Sequence, residues 1–134
     1  MSNLLATISK IESCDSLHLV KFDFNGQSLS MMSLELNENI KVATKIKLSV
    51  KPTNVAIGKD INGKLSHSNQ LKAIIKSIQN GKLLSSIVLE FSNEEILESI
   101  ITKDSVQRLD LKEGDVVTTI IKASDISITE LVDA

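Results

Sequence analysis

The second half of this chain repeats the first. Residues 111–128, LKEGDVVTTIIKASDISI, follow the pattern of residues 40–57, IKVATKIKLSVKPTNVAI. Aligned on their strand ends, Val50-Lys51-Pro52-Thr53-Asn54-Val55 lies over Ile121-Lys122-Ala123-Ser124-Asp125-Ile126. Each copy runs apolar strand end, lysine, small residue, hydroxyl, Asn or Asp, aliphatic. Such self-similarity restricts the fold to one small module written twice. The same constant offset that carries Ala6, Ile8 and Ile11 onto Ala73, Ile75 and Ile78 carries Leu17, Phe22 and Phe24 onto Leu84, Leu89 and Phe91.

The modules read as strands. Near-alternation of Leu4, Ile8 and Ile11 predicts a half-buried strand over 4–11, and Ser13-Cys14-Asp15-Ser16 a turn. Over 17–24, Leu17, Leu19, Val20, Phe22 and Phe24 are set against His18, Lys21 and Asp23 on the other face. The break at Leu19-Val20 predicts a bulge there. Asn25-Gly26 is the strongest hairpin signal, because both residues tolerate positive φ. Strands are predicted over 27–34 and 45–50, and in the second half over 69–78, 83–91, 96–101 and 116–121. Asn80-Gly81 and residues 112–115 are turns. Thr102 is a candidate N-cap for a helical turn, and the first copy has no equivalent of 102–108. Residues 58–66, with Gly58 and Gly63 and no periodicity, read as the link.

Aromatic residues make up 2% of a chain that is 42% hydrophobic, so the core must be Ile, Leu and Val, which favour strands. The expected fold is mainly β: two tandem OB-like Greek-key barrels with a short helical turn. The first module is expected over 1–60, the link over 61–65 and the second module over 66–134. A domain of roughly 60 residues buries only about 60% of its unfolded surface, so pairing and oligomerisation are expected to supply the rest.

A net charge of −2 provides no field for a polyanion, which argues against a nucleic-acid binder. An OB module for single strands needs exposed aromatics, yet the chain has no Trp or Tyr and its three Phe fall at core positions. The lone Cys14 fits a reducing cytoplasm. Residues 1–13 lack the basic start and apolar run of a secretory signal, and no apolar run is long enough to span a membrane. His18 and His67 have no Cys or carboxylate partner at metal-ligand spacing, and no nucleophile–base set suggests an enzyme. What remains are small hydroxyls beside backbone corners. Ser66-His67-Ser68-Asn69 opens the second module, and Lys122-Ala123-Ser124 closes it. Hydroxyls, backbone N–H groups and one lysine suit a small tetrahedral dianion, each charge-assisted bond contributing about 1.5–3 kcal/mol. Five or six, less ordering costs, reach about −8 kcal/mol, a micromolar affinity. The same residue types dominate ordinary turns, and chemistry alone favours that plainer reading.

The second half resembles the Mop, or TOBE, domain of molybdate-binding proteins. That family opens with Ser-Ala-Arg-Asn-Gln-Leu, here Ser66-His67-Ser68-Asn69-Gln70-Leu71. It carries Ile-Thr-x-x-Ser-Val, here Ile101 to Val106, and closes with Leu-Lys-Glu-Gly-Asp and Ile-Lys-Ala-Ser, here 111–115 and 121–124. The first half looks like a divergent copy. The resemblance implies a tandem-Mop molbindin: a cytoplasmic, non-enzymatic protein that binds molybdate or tungstate at domain and subunit interfaces for storage or homeostasis. It also implies a homo-oligomer, a trimer, with no nucleic-acid or membrane partner and no direct protein–metal ligands. Carried over by position, the ligands are Ser66, Ser68, Asn69, Thr102, Lys122, Ala123 and Ser124, with Lys51, Pro52 and Thr53 in the first copy. Ser68 stands where the family has arginine, and His67, once protonated, is the candidate replacement cation. The alternative role is a molybdate-sensing module acting on a separate protein.

Overall fold

A computed structural model describes residues 2–132. Strand β1 (Ser2–Cys14) turns at Asp15 into β2 (Leu17–Phe24), which turns through Asn25-Gly26 into β3 (Gln27–Ser33). A loop leads to β4 (Lys45–Val50), a 3-10 turn (Pro52–Asn54) and the short β5 (Ala56–Gly58). The second half follows with β6 (Asn69–Asn80), β7 (Leu84–Glu90), β8 (Ile96–Thr102), helix α1 (Lys103–Arg108) and β9 (Val116–Ile121). A second 3-10 turn (Ala123–Asp125) and β10 (Ile126–Val132) complete it. Asn25 and Gly26 adopt φ of 51° and 82°, the left-handed pair that a tight hairpin requires. Thr102 caps α1 by accepting a hydrogen bond from the Ser105 N–H. Among the described residues no helix is long and apolar enough to cross a membrane.

The strands form two five-stranded antiparallel sheets, in the orders β10-β4-β1-β2-β3 and β5-β9-β6-β7-β8. The sheets do not divide the chain at its midpoint. β5 leaves the first half to pair with β9, and β10 leaves the second half to pair with β4. Each half therefore lends a strand to the other, and the two echoed corners are the crossover points. Both sheets curl until their edges approach, β3 towards β10 and β8 towards β5, without a strand ladder across either seam. The result is barrel-like in wrap and open in hydrogen bonding.

One hydrophobic core spans both halves. Val20, Phe22 and Phe24 alternate inward along β2, and Ile87 and Leu89 do so along β7. The repeat partners Phe24 and Phe91 meet edge to face, with centroids 5.4 Å apart at 88°. All three phenylalanines are at most 5% exposed.

The bulge lies elsewhere than predicted. Ile8 pairs with Phe22 and Lys10 with Lys21, so Ser9 is the extra residue and β1 carries the irregularity. The second copy has it at the matching place, between Ile75 and Ser77 of β6. β2 alternates without a break, because Leu17 and Leu19 point outward with Lys21 and Asp23. His18 faces the other way, its Nδ1 2.7 Å from Ser13 Oγ. Strand β1 also runs longer than 4–11, and Gly58, expected in the link, ends β5.

Candidate functional site

Each corner follows from its sequence. Lys51 and Lys122 are extended, at φ −67° and −73°, and each precedes one 3-10 turn. Proline fits the first turn position in the first copy because its φ is already fixed. It also removes an N–H that Ala123 retains, so the first corner offers an anion one donor fewer. The turns close through Asn54 N–H to Lys51 O at 2.8 Å and Asp125 N–H to Lys122 O at 3.0 Å.

The reciprocal exchange brings the corners together. Val50 pairs with Ile126, and Ala56 with Ile120, so all four strand ends meet. Between the corners lies a cavity of about 310 Å³. Its walls are Lys51 and Asn54 from the first corner, Ser124 and Asp125 from the second, and Ser49, Ser127 and Thr129 from the adjoining strands. Four hydroxyls, one amide, one ammonium and one carboxylate make a polar, nearly neutral pocket suited to a ligand read by hydrogen bonds. Ser124 also lines a neighbouring cavity of about 590 Å³, beside Met31, Leu36, Ile40, Ile126 and Ile128.

The expected site residues divide into three groups. Lys51 and Ser124 share the pocket. Pro52, Thr53, Lys122 and Ala123 belong to the same corners without lining it. Asn69 pairs with Ile121, which brings the opening segment 66–69 beside the second corner. Its side chain is fully buried and holds the backbone of β3: Asn69 Oδ1 accepts from the Ser30 N–H at 2.7 Å, and Nδ2 donates to Ser30 O at 3.0 Å. Ser66 and Ser68 are exposed. His67 is half-buried, with its Nδ1 buried and unpartnered, and its carbonyl accepts from Gln70 Nε2 at 2.9 Å.

Thr102 stands apart within one chain. It pairs with Leu84 near the far end of β6, which is 12 residues long and spans roughly 35 Å if straight. Its hydroxyl caps α1. Of the residues lining this pocket, sequence reasoning missed Asn54 and Asp125 at the corners and Ser49, Ser127 and Thr129 on the strands. The signal was present as alternating polar residues flanking the corner, but this is also how any solvent-facing strand reads. Among the described residues no group of three or more His, Cys, Asp or Glu is placed to hold a metal ion.

The TOBE domain model matches residues 65–128. Molybdenum-pterin-binding protein 1 of Clostridium pasteurianum is 38% identical over 64 residues, covering 48% of this chain and 94% of that protein. Molybdenum-pterin-binding protein 3 of the same organism is 36% identical, with the same coverage. In three dimensions the chain is similar to the cytoplasmic molybdate-binding protein ModG, solved with molybdate bound. The TM-score is 0.89 at 24% identity, covering 94% of this chain and 93% of that one, which is a likeness of fold.

Proposed function

This chain belongs to the TOBE, or Mop, family, and from that premise we propose that it is a cytoplasmic binding protein for molybdate or tungstate. It holds the oxyanion for storage or homeostasis and carries out no catalysis. The observation that carries this reading is that the two echoed crossover corners line one polar pocket, Lys51 and Asn54 from the first and Ser124 and Asp125 from the second. Hydroxyls, backbone N–H groups and lysine are donors, and a tetraoxo dianion is an acceptor on every face. The ligand set comprises Lys51, Pro52 and Thr53 of the first corner, Lys122, Ala123 and Ser124 of the second, and Ser66, His67, Ser68 and Asn69 of the opening segment. Thr102 joins them only across a subunit boundary, which fits assembly as a homo-oligomer, a trimer. Exposed Leu34, Leu83 and Val116 offer apolar surface for such contacts. In this reading residues 1–60 and 66–134 are the two copies, joined by 61–65.

The bare oxyanion is favoured over a pterin-bound form. A pterin ring calls for an aromatic platform, and Phe22, Phe24 and Phe91 are all in the core. The same burial disfavours a single-strand nucleic-acid module. A sensing role on a separate protein is separated from storage by pull-down with and without molybdate. The test of the central reading is isothermal titration with molybdate, tungstate and sulfate, with the mass in solution measured alongside. Micromolar or tighter binding of the first two, with sulfate ignored, is expected; no binding of either sinks the reading.

A further inference from the structure

The repeat sets two pseudo-equivalent strand pairs beside the corners, and their side chains differ. The register places Ser49 opposite Ser127 on the β4–β10 side and, at the equivalent place, Ile120 opposite Ala56 on the β9–β5 side. Thr129 sits at the register shift between Ile128 and Glu130, and its equivalent in β5 is Gly58, which has no side chain. On the β4–β10 side the wall is hydroxyl; on the other it is aliphatic. Ile61 lies on that aliphatic wall: its side chain occupies the space where any side chain at Gly58 would go, and Ile120 is the next neighbour. Lys59 holds this stretch in place, with Nζ 3.2 Å from Asp115 Oδ2 and 2.8 Å from Asp110 O.

We infer that the pocket between Lys51 and Ser124 is the one anion seat a single chain builds for itself, that Ser127 and Thr129 complete it, and that Ile61 plugs its pseudo-equivalent. This rests on the oxyanion-binding reading and adds to it residues outside the echoed corners. At about 310 Å³ the pocket has the volume of roughly ten waters, enough for a tetrahedral oxyanion with part of its hydration. Ser127 is exposed at the mouth, and Ser49, 3% exposed, forms the floor. Thr129 Oγ1 now donates to Lys47 O over a long 3.3 Å, a bond readily exchanged for one to an anion. Asp125 is the one carboxylate among the lining residues, opposing the Lys51 charge. Hydroxyl geometry rather than net charge therefore sets what is bound.

The experiment is titration of the full-length wild type, Ser127→Ala with Thr129→Val, Ser127→Thr, and Ile61→Ala with molybdate, each first melted to establish that it is folded. The double variant should lose about tenfold or more in affinity at a class of one site per chain. Ser127→Thr, which keeps its hydroxyl, should lose less affinity than the double variant, and Ile61→Ala should leave that class unchanged. Wild-type binding with an unaffected double variant overturns this inference and leaves the oxyanion reading standing. A wild type that binds nothing overturns that reading as well.

Discussion

Asn69 is a proposed ligand whose side chain is already occupied. Its amide is buried, and both ends hold the backbone of Ser30, at 2.7 and 3.0 Å. Replacing it with alanine removes two neutral hydrogen bonds, each contributing about 1 kcal/mol. It also strands a part-buried N–H and C=O on β3, bringing the cost to about 2–3 kcal/mol. For 134 residues, at about 2.1 cal/mol/K per residue, the entropy of unfolding is roughly 0.28 kcal/mol/K. The melting temperature should therefore fall by about 7–11 °C. Asn69→Asp should fall too, because a carboxylate accepts from the Ser30 N–H but repels the Ser30 carbonyl. The assay is thermal unfolding by circular dichroism, without and with saturating molybdate. A comparable loss in both conditions is expected. An Asn69→Ala variant that melts like wild type without oxyanion and loses only the ligand-induced increment would refute the reasoning, and Asn69 would then be a ligand first.

Two buried hydroxyls predict opposite signs. Thr119 is fully buried with Oγ1 unpartnered, so Thr119→Val should stabilise by about 1 kcal/mol, seen as a rise of about 3–4 °C in melting temperature. Ser99, equally buried, donates to Val55 O at 2.6 Å and anchors the exit of the first corner, so Ser99→Ala should lose about 1–3 kcal/mol in the same melts. The Lys112 backbone N–H and then the Lys59 ammonium hold the Asp115 carboxyl below its ordinary value of 3.8. A depressed carboxylate stabilises the fold above its ordinary value and loses that contribution as pH falls from there through the lowered folded-state value, so Asp115→Asn should flatten the acid limb of a melting-temperature profile. Asp125→Asn, which copies Asn54 at the equivalent place, removes about 1 kcal/mol of near-aqueous repulsion on a dianion and should tighten molybdate binding about fivefold by titration.

The local structure was legible because local chemistry fixes it. β4, β9 and the Thr102 cap stand where alternation and capping rules put them, and the repeat showed which strands correspond. The bulge was misplaced because outward Leu17 and Leu19 imitate a phase change that belongs to Ser9 in the partner strand. Where β5 and β10 go was not legible. Ala56-Ile57-Gly58 is too short to carry a period, and pairing with β9 rather than β4 is decided far along the chain. Lys51 and Ser124 were found as motif members. That they share a pocket depends on the exchange, and that Asn69 is engaged depends on the backbone of Ser30, which no side-chain pattern reveals.

The exchange of β5 and β10 also sets an order of events during synthesis. When a ribosome has released residues 1–60, β4 has one neighbour, β1, and an open edge where residues 126–132 will later lie. That edge, an invitation to intermolecular pairing, stays open until nearly all of the described chain has emerged. Neither sheet reaches its five strands on half a polypeptide, so a cut anywhere between 66 and 125 should yield two sticky pieces rather than two modules. Folding waits on a pairing between residues 45–50 and 126–132, far apart in the sequence, which makes it slow for its size. The corners become a binding pocket at the same moment that the nascent chain becomes a stable protein.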